Sequence, residues 1–384
     1  MYAPFWRRDD VRDSEATVVA VGDVMLSRGV GETIAHEGID SIFAGIADAL
    51  KADVTFGNLE GPISDRGQPN PGSLSQFRAS PDVVGGLVRA GFDVLNVANN
   101  HTYDFLGPAV EDTLRLLSAA GIRTVGVGSS FEQARLPAIL DLGDLRIAFL
   151  GYTSMRNVID RRFDYVAAPL DLETIEQDIG AMKERGSRVV ISLHFGHEDI
   201  EYPPPECRRQ ARAIIGMGAD AVLGHHPHVI QGIEVFEGGL IAYSMGNFVF
   251  DHADPRRQSG LMVRFGLDGD GLTRVEFLPV AIGEDGRVAP AEGAEREEAI
   301  AHIRRLSGFL ADGSSDRRFW NASGDSFLGT YGSSLCRTLN RRGIRGLLRL
   351  LLRARPKHLR ILWTWFLRTV LQRRGGDEPA TMDP

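Results

Sequence analysis

From Thr17 to His228, short β-branched runs alternate with helical segments, and five of the runs end on a carboxylate, an amide or an imidazole. The run Thr17–Gly22 precedes Asp23, and Val54–Phe56 leads into Gly57-Asn58-Leu59-Glu60. Val94–Ala98 leads into Asn99-Asn100-His101, Arg188–Leu193 into His194, and Ala221–Leu223 into Gly224-His225-His226-Pro227-His228. Between the runs, helices are predicted over Pro81–Ala90, Pro108–Ala120, Leu172–Lys183 and Glu206–Met217. Ser80 is the expected N-cap of the first, with Pro81 at its opening position and Gly91 past its end. Parallel neighbours need a crossover, usually helical, so the alternation predicts an α/β architecture with a largely parallel core.

The pattern changes after His228. Short runs at Ile230–Val235, Leu240–Ser244, Phe248–Phe250, Leu261–Phe265 and Thr273–Pro279 follow one another with glycine-rich turns, which predicts a second, mostly antiparallel sheet. Ala291–Leu310 reads as a charged helix, and 313–334, rich in Gly, Ser and Asp, as a linker. The expected organisation is a main domain over 15–290, a helical segment over 291–312, the linker, and a basic amphipathic tail over 335–374. A chain of 384 residues holds a buried polar site without help from disulfides. Cys207 and Cys336 sit in no metal-type spacing and read as free thiols. No apolar stretch follows Arg7-Arg8, and no run reaches ~18 apolar residues. Neither a signal peptide nor a spanning helix is therefore expected, and the predicted location is cytoplasmic or peripheral at a membrane.

In an open α/β sheet, ligands bind at the carboxyl ends of the strands. Asp23, Asn58, Glu60, Asn100, His101, His194, His226 and His228 all fall there. Each has a plainer reading when taken alone: Asp23 as a turn cap, Asn99-Asn100 as turn formers, His194 as a hydrogen-bonded core histidine. Five strands supplying such groups to one edge favour a shared site. Carboxylate and imidazole together suit borderline divalent ions, Mn, Fe or Zn. Two such ions ~3.5–4 Å apart clamp a phosphoryl group and activate a water. A carboxylate bridges two ions, an Asn carbonyl ligates without adding charge, and an adjacent histidine reaches a leaving oxygen as general acid. His197 and Glu198, close to His194, read equally as contacts around such a site and as solvated surface. His225 neighbours His226, and Gly246-Asn247 reads as a turn or as the rim of the site.

Read in order, these residues resemble the motifs of calcineurin-like phosphoesterases, and more closely those of the CapA family within that group. GDVML (22–26), GNLEG (57–61), NVANNHTYD (96–104), LHFGHE (193–198), GHHPHVIQG (224–232) and SMGNFVFD (244–251) carry the likeness, which runs from Val18 to Asp251. The resemblance implies a four-layer α/β/β/α sandwich of two mixed sheets, to which the basic helical tail is an extension. It implies one or two divalent ions. Asp23 would ligate the first, Glu60 or Asn58 would bridge, Asn100 would ligate the second, and His194, His226 and His228 would complete the set. His101 would protonate the leaving group, and His197, Glu198, His225 and Asn247 would surround them. It also implies a role in making or exporting poly-γ-glutamate capsule with capsule-synthesis partner proteins, as a phosphoester hydrolase or, alternatively, as a non-catalytic accessory component. Met25 stands where the wider superfamily has a second histidine ligand, and Asn58 where it has a bridging Asp. CapA-like proteins resemble this chain at both positions.

The C-terminal segment needs a partner of its own. Arg341–Arg374 holds eleven Lys or Arg and no acid, so with a net charge of −8 the rest carries −19. Arg341, Arg345, Arg349 and Arg353 share a helix face, and beyond Pro356 the residues Leu359, Leu362, Trp363, Phe366 and Leu367 form an apolar stripe edged by arginine. Such a tail docks on the acidic body, on an anionic membrane surface or on an acidic polymer. No nucleic-acid motif accompanies the charge, and no nucleic-acid partner is expected.

Overall fold

Two mixed β-sheets stack face to face, because alternate residues along their strands are apolar on both faces. The computed structural model describes residues 1–9, 15–73, 75–155 and 165–326. The strands are β1 (Ala3–Arg7), β2 (Ala16–Val24), β3 (Val54–Leu59), β4 (Val94–Asn96), β5 (Arg123–Val125), β6 (Val127–Gly128), β7 (Ala138–Leu142), β8 (Leu145–Thr153), β9 (Val166–Ala167), β10 (Arg188–His194), β11 (Ala221–His225), β12 (Ile233–Phe236), β13 (Gly239–Ala242), β14 (Asn247–Val249), β15 (Ser259–Asp268), β16 (Gly271–Ile282) and β17 (Val288–Pro290). The helices are α1 (Arg28–Glu37), α2 (Asp40–Phe43), α3 (Ala47–Leu50), α4 (Val83–Arg89), α5 (Leu106–Ala119), α6 (Phe131–Ala134), α7 (Leu172–Glu184), α8 (Pro205–Gly216) and α9 (Gly293–Ala311).

The first sheet runs β1-β16-β15-β2-β3-β4-β5, with β14 beside the end of β2 and β17 beside β16. Strands β2 to β5 are parallel, whereas β15 joins β2 antiparallel. The second sheet runs β12-β13-β11-β10-β8-β7, parallel in its centre and antiparallel at both edges. On β2, Val18 and Ala20 point between the sheets while Val19 and Val21 point outward. The outward pair packs in one cluster with Ile42, Phe43, Leu50, Leu87, Val110 and Leu117 of helices α2 to α5. On β10, Val190 points between the sheets, and Val189, Ile191 and Leu193 meet Ile175, Ile179, Ala211 and Ile214 of α7 and α8. This period of two on both sheets produces four layers, α/β/β/α.

Between the sheets, Phe56 stacks on Phe149 with ring centroids 5.5 Å apart and planes 7° from parallel. Both are fully buried. Phe149→Ala should therefore cost about 3–5 kcal/mol. Urea unfolding should show the loss as a lower midpoint at unchanged slope, and a change under ~1 kcal/mol would contradict this account of the core.

Three expectations need correction. The strands after His228 do not form a sheet of their own: β12 and β13 complete the second sheet, and β14 to β17 return to the first. Hydrophobic period sets which residues of a strand face inward but carries no signal for which sheet a strand joins. The compact unit extends over Met1–Asp312. It takes in β1, paired with β16, and α9, whose Ile303 and Leu306 are buried in the inter-sheet cluster. Lastly, residues 315–326, inside the expected linker, are helical. Their Gly and Ser content argued for a loop, but Phe319 and Ser323 are buried, and burial overrides a weak local propensity. The predicted basic tail at 335–374 lies outside the described residues.

Candidate metal centre

β2 and β14 come unusually close where the site begins. A Cβ on Gly22 would lie 2.1 Å from the carbonyl oxygen of Gly246, so only glycine fits there. That approach lets the Asp23 amide donate to Gly246 O at 3.0 Å and turns the Asp23 carboxylate into the rim between the sheets, fully buried. Asn58, opposite Asp23 in the β2–β3 register, donates through Nδ2 to Asp23 Oδ1 at 2.9 Å and to Glu60 Oε2 at 3.2 Å. Asn58 Oδ1 accepts from Asn96 Nδ2 at 2.9 Å. Asn58 thus holds two carboxylates together and turns its own carbonyl away from them.

The second sheet supplies the imidazoles other than His101. His194 and His225 are register partners at the ends of β10 and β11. His194 Nε2 donates to Asn100 Oδ1 at 2.7 Å, which leaves Nδ1 as the nitrogen open to an ion. Asn100 accordingly meets His194 instead of facing the carboxylates. His226 and His228 both adopt left-handed backbone, φ 99° and 59°, a conformation that costs energy for non-glycine residues and clusters at functional sites. His228 Nδ1 donates to Asn247 Oδ1 at 2.9 Å, so Nε2 stands 3.5 Å from Glu60 Oε1. His225 Nδ1 lies 3.4 Å from Asp23 Oδ1.

One ligand atom from each of Asp23, Glu60 and His194 lies within 4.8 Å of the others, a triad able to hold a metal ion. Glu60 Oε1, His194 Nδ1 and His226 Nδ1 are buried and find no hydrogen-bond partner among the described residues. Buried polar atoms are normally paired, so the Glu60 and His194 orphans gathered with the Asp23 carboxylate fit a cation better than they fit a core. The electrostatics agree. Burial disfavours the Asp23 charge, but His225 and His228 outweigh it and hold its carboxyl well below the usual range. Burial, and then the Asp23 charge, push Glu60 well above it. Burial holds His194 well below its ordinary value and His226 down to about 4, which keeps both neutral as ligands require. Burial opposes charge on His228 too, yet Glu60 and Asp23 lift it to about 9.

His101 stands beside this cluster. Its Nδ1 donates to Asp104 Oδ2 at 2.7 Å, its ring stacks on Phe77 at 4.0 Å, and its Nε2 lies 3.8 Å from Glu60 Oε1. Asp104 also accepts from Ser73 Oγ and the Phe77 amide. A cavity of about 440 Å³ opens here, lined among others by Arg28, Asn70, Phe77, His101, Glu198 and Arg257.

The structure therefore gathers Asp23, Asn58, Glu60, Asn100, His101, His194, His225, His226, His228 and Asn247 at one rim. Glu198 reaches the cavity wall, ion-paired to Arg257 at 3.2 Å, whereas His197 is exposed. Sequence reasoning passed over Asp104, Phe77, Asn96 and Arg257. Asp104 had a signal, since it follows His101 by three residues within the same motif; Phe77 and Arg257 had none.

Architecture and rim define an α/β/β/α protein with a buried carboxylate–histidine centre. The family model for bacterial capsule synthesis protein PGA_cap matches residues 17–252, and the chain belongs to that family. It is similar to the capsule biosynthesis protein CapA of Bacillus anthracis, 30% identical over 302 residues, covering 76% of this chain and 72% of that one. It is also similar to the PGA biosynthesis protein CapA of Bacillus subtilis, 32% identical over 292 residues, covering 75% and 76% respectively. A Mycobacterium tuberculosis protein, named as a probable polyglutamine synthesis accessory protein, is 26% identical over 283 residues, covering 62% of this chain and 74% of its own. Among the described residues, no helix is long and apolar enough to cross a membrane.

Proposed function

We propose that this protein is a divalent-metal-dependent phosphoester hydrolase serving the synthesis or export of poly-γ-glutamate or a related capsule. The observation that carries this reading is the triad of Asp23, Glu60 and His194, one ligand atom of each within 4.8 Å of the others, with His228 Nε2 3.5 Å from Glu60 and an Asp104-oriented His101 beside them. That triad would hold the ion, joined by His226 and by His228 once it gives up its proton, and the mix of oxygen and nitrogen suits Mn, Fe or Zn. When bound, such an ion polarises phosphoryl oxygens and lowers the pKa of water. Asn58 keeps the two carboxylates at one spacing. Asp104 holds Nδ1–H and would stabilise the imidazolium, the form in which Nε2, facing the cluster, carries a proton to give to a leaving oxygen. The cavity is much larger than a phosphate group and takes the remainder of a substrate. The names of the CapA relatives support the capsule setting and the capsule-synthesis partners.

The test is hydrolysis of an aryl phosphate and a phosphodiester by the Mn-loaded protein. Activity should vanish with a chelator and fall sharply in His101→Ala, most on the substrate with the poorer leaving group. Turnover that survives both treatments sinks the hydrolase reading.

One observation favours a second reading, a metal-binding accessory component without turnover. Met25, at the position of the superfamily's second ligand, is buried in the outer core of the first sheet, and its Sδ accepts from the Ser27 amide and hydroxyl at 3.2 and 3.0 Å. That position therefore supplies no ligand. Stoichiometric metal with no phosphoester turnover would favour this reading.

The basic tail is proposed to dock on an anionic membrane surface or an acidic polymer. A chain ending at 340 should be released from anionic lipid vesicles that retain the full chain. Equal retention of the two would remove the tail from the account.

A further inference from the structure

We infer that Arg257, which is no ligand of the candidate metal centre, is a positioning residue that aims His226 and His228 at it; this inference rests on the metal reading above. Arg257 ends a short 3-10 turn, Pro255–Arg257, beyond β14, and is 9% exposed. Two chains of contact lead from it to the histidines.

The first runs through its side chain. Nε and Nη2 donate to Asp199 Oδ1 and Oδ2 at 2.6 Å each, a bidentate clasp that fixes position as well as charge. Asp199 belongs to the loop after His194 and has left-handed backbone, φ 63°. Its amide donates to the carbonyl of Pro227 at 3.0 Å, the residue between His226 and His228. Those two histidines are themselves left-handed. Such backbone persists only where surrounding contacts over-determine it, and the Arg257–Asp199 clasp is one of those contacts.

The second chain runs through its backbone. Arg257 O accepts from Asn247 Nδ2 at 2.9 Å, and Asn247 Oδ1 accepts from His228 Nδ1 at 2.9 Å. The same residue therefore sets the height of the His226–His228 turn and the rotation of the His228 ring. Outer contacts of this kind orient metal ligands without touching the ion.

The experiment compares Mn affinity, by titration calorimetry on the full chain, for wild type, Arg257→Met, Arg257→Lys, Asp199→Asn and the double variant R257M/D199N. Melting of each metal-free protein is measured in parallel. Arg257→Met should weaken Mn binding by about 10–100-fold while the metal-free protein melts near wild type. Arg257→Lys should recover only part of the affinity, because an ammonium cannot clasp two oxygens in one plane. The double variant should lose little beyond Arg257→Met, since both changes cut one connection. Wild type binding Mn while Arg257→Met binds within about twofold of it would overturn the inference and leave the metal reading standing. Affinity lost only in step with loss of folded protein would overturn it equally. Wild type that binds no Mn would overturn the metal reading itself, and this inference with it.

Discussion

Asp23→Asn should yield a folded protein that no longer retains divalent metal through dialysis. The substitution keeps the shape, and the new side chain still presents an oxygen to Asn58 Nδ2, which lies 2.9 Å from Asp23 Oδ1. What it removes is charge. Asp23 is the fully buried anion facing His225 and His228, at 3.4 and 3.3 Å, and it shares with Glu60 and His194 the triad able to hold a metal ion. Its carboxyl is held well below the ordinary range, so it enters the site ionised. Losing an outer contact costs a metal site about 10–100-fold in affinity, and losing an anionic ligand should cost more than 100-fold. Elemental analysis of dialysed wild type and variant reads the result directly. Equal metal content in the two would remove Asp23 from the ligand set.

His101→Gln should do the opposite. Metal stays bound and phosphoester turnover falls by about 10²–10⁴-fold, the usual worth of a positioned general acid. The geometry separates the two roles. His101 Nδ1 is engaged by Asp104 at 2.7 Å, and Nε2 is 3.8 Å from Glu60 Oε1, beside the triad and not within it. The loss should be greatest for substrates with poor leaving groups, because an activated aryl oxide needs little help from a proton. The readout is the ratio of rates on an alkyl and a nitrophenyl phosphate. If His101→Gln depresses both equally, or strips the metal as Asp23→Asn does, protonation of the leaving group is the wrong role.

Much of this arrangement was legible before any coordinates. Strands such as β2, β10 and β11 are apolar runs that carry Asp23, His194 and His225 at or next to their last residue, and strand ends of an α/β sheet meet at one edge. The pairing of late strands with early ones was not legible. Val263 of β15 faces Ala20 of β2 across 243 positions of chain, and alternation alone gives no hint of that neighbour. Helices α1 to α3, between Arg28 and Leu50, were also missed, since their apolar positions are few and no side chain caps them. Within the site, residue identity told which groups were present but not how they turn. Asn58 looked like a ligand in the place of a bridging Asp, yet its amide orientation makes it a brace between carboxylates. Arg257 carries no local signal at all, because its meaning comes from Asp199, 58 residues earlier.

The candidate ligands at the rim draw their anions from one sheet and their imidazoles from the other. A cation seated there is consequently a rivet between the two halves of the sandwich. Saturation then adds directly to the free energy of unfolding, by about 2.7 kcal/mol at a hundred times the dissociation constant. For such a molecule heat resistance is itself a gauge of cation supply, and starvation for the ion would loosen the sandwich from its working edge inward.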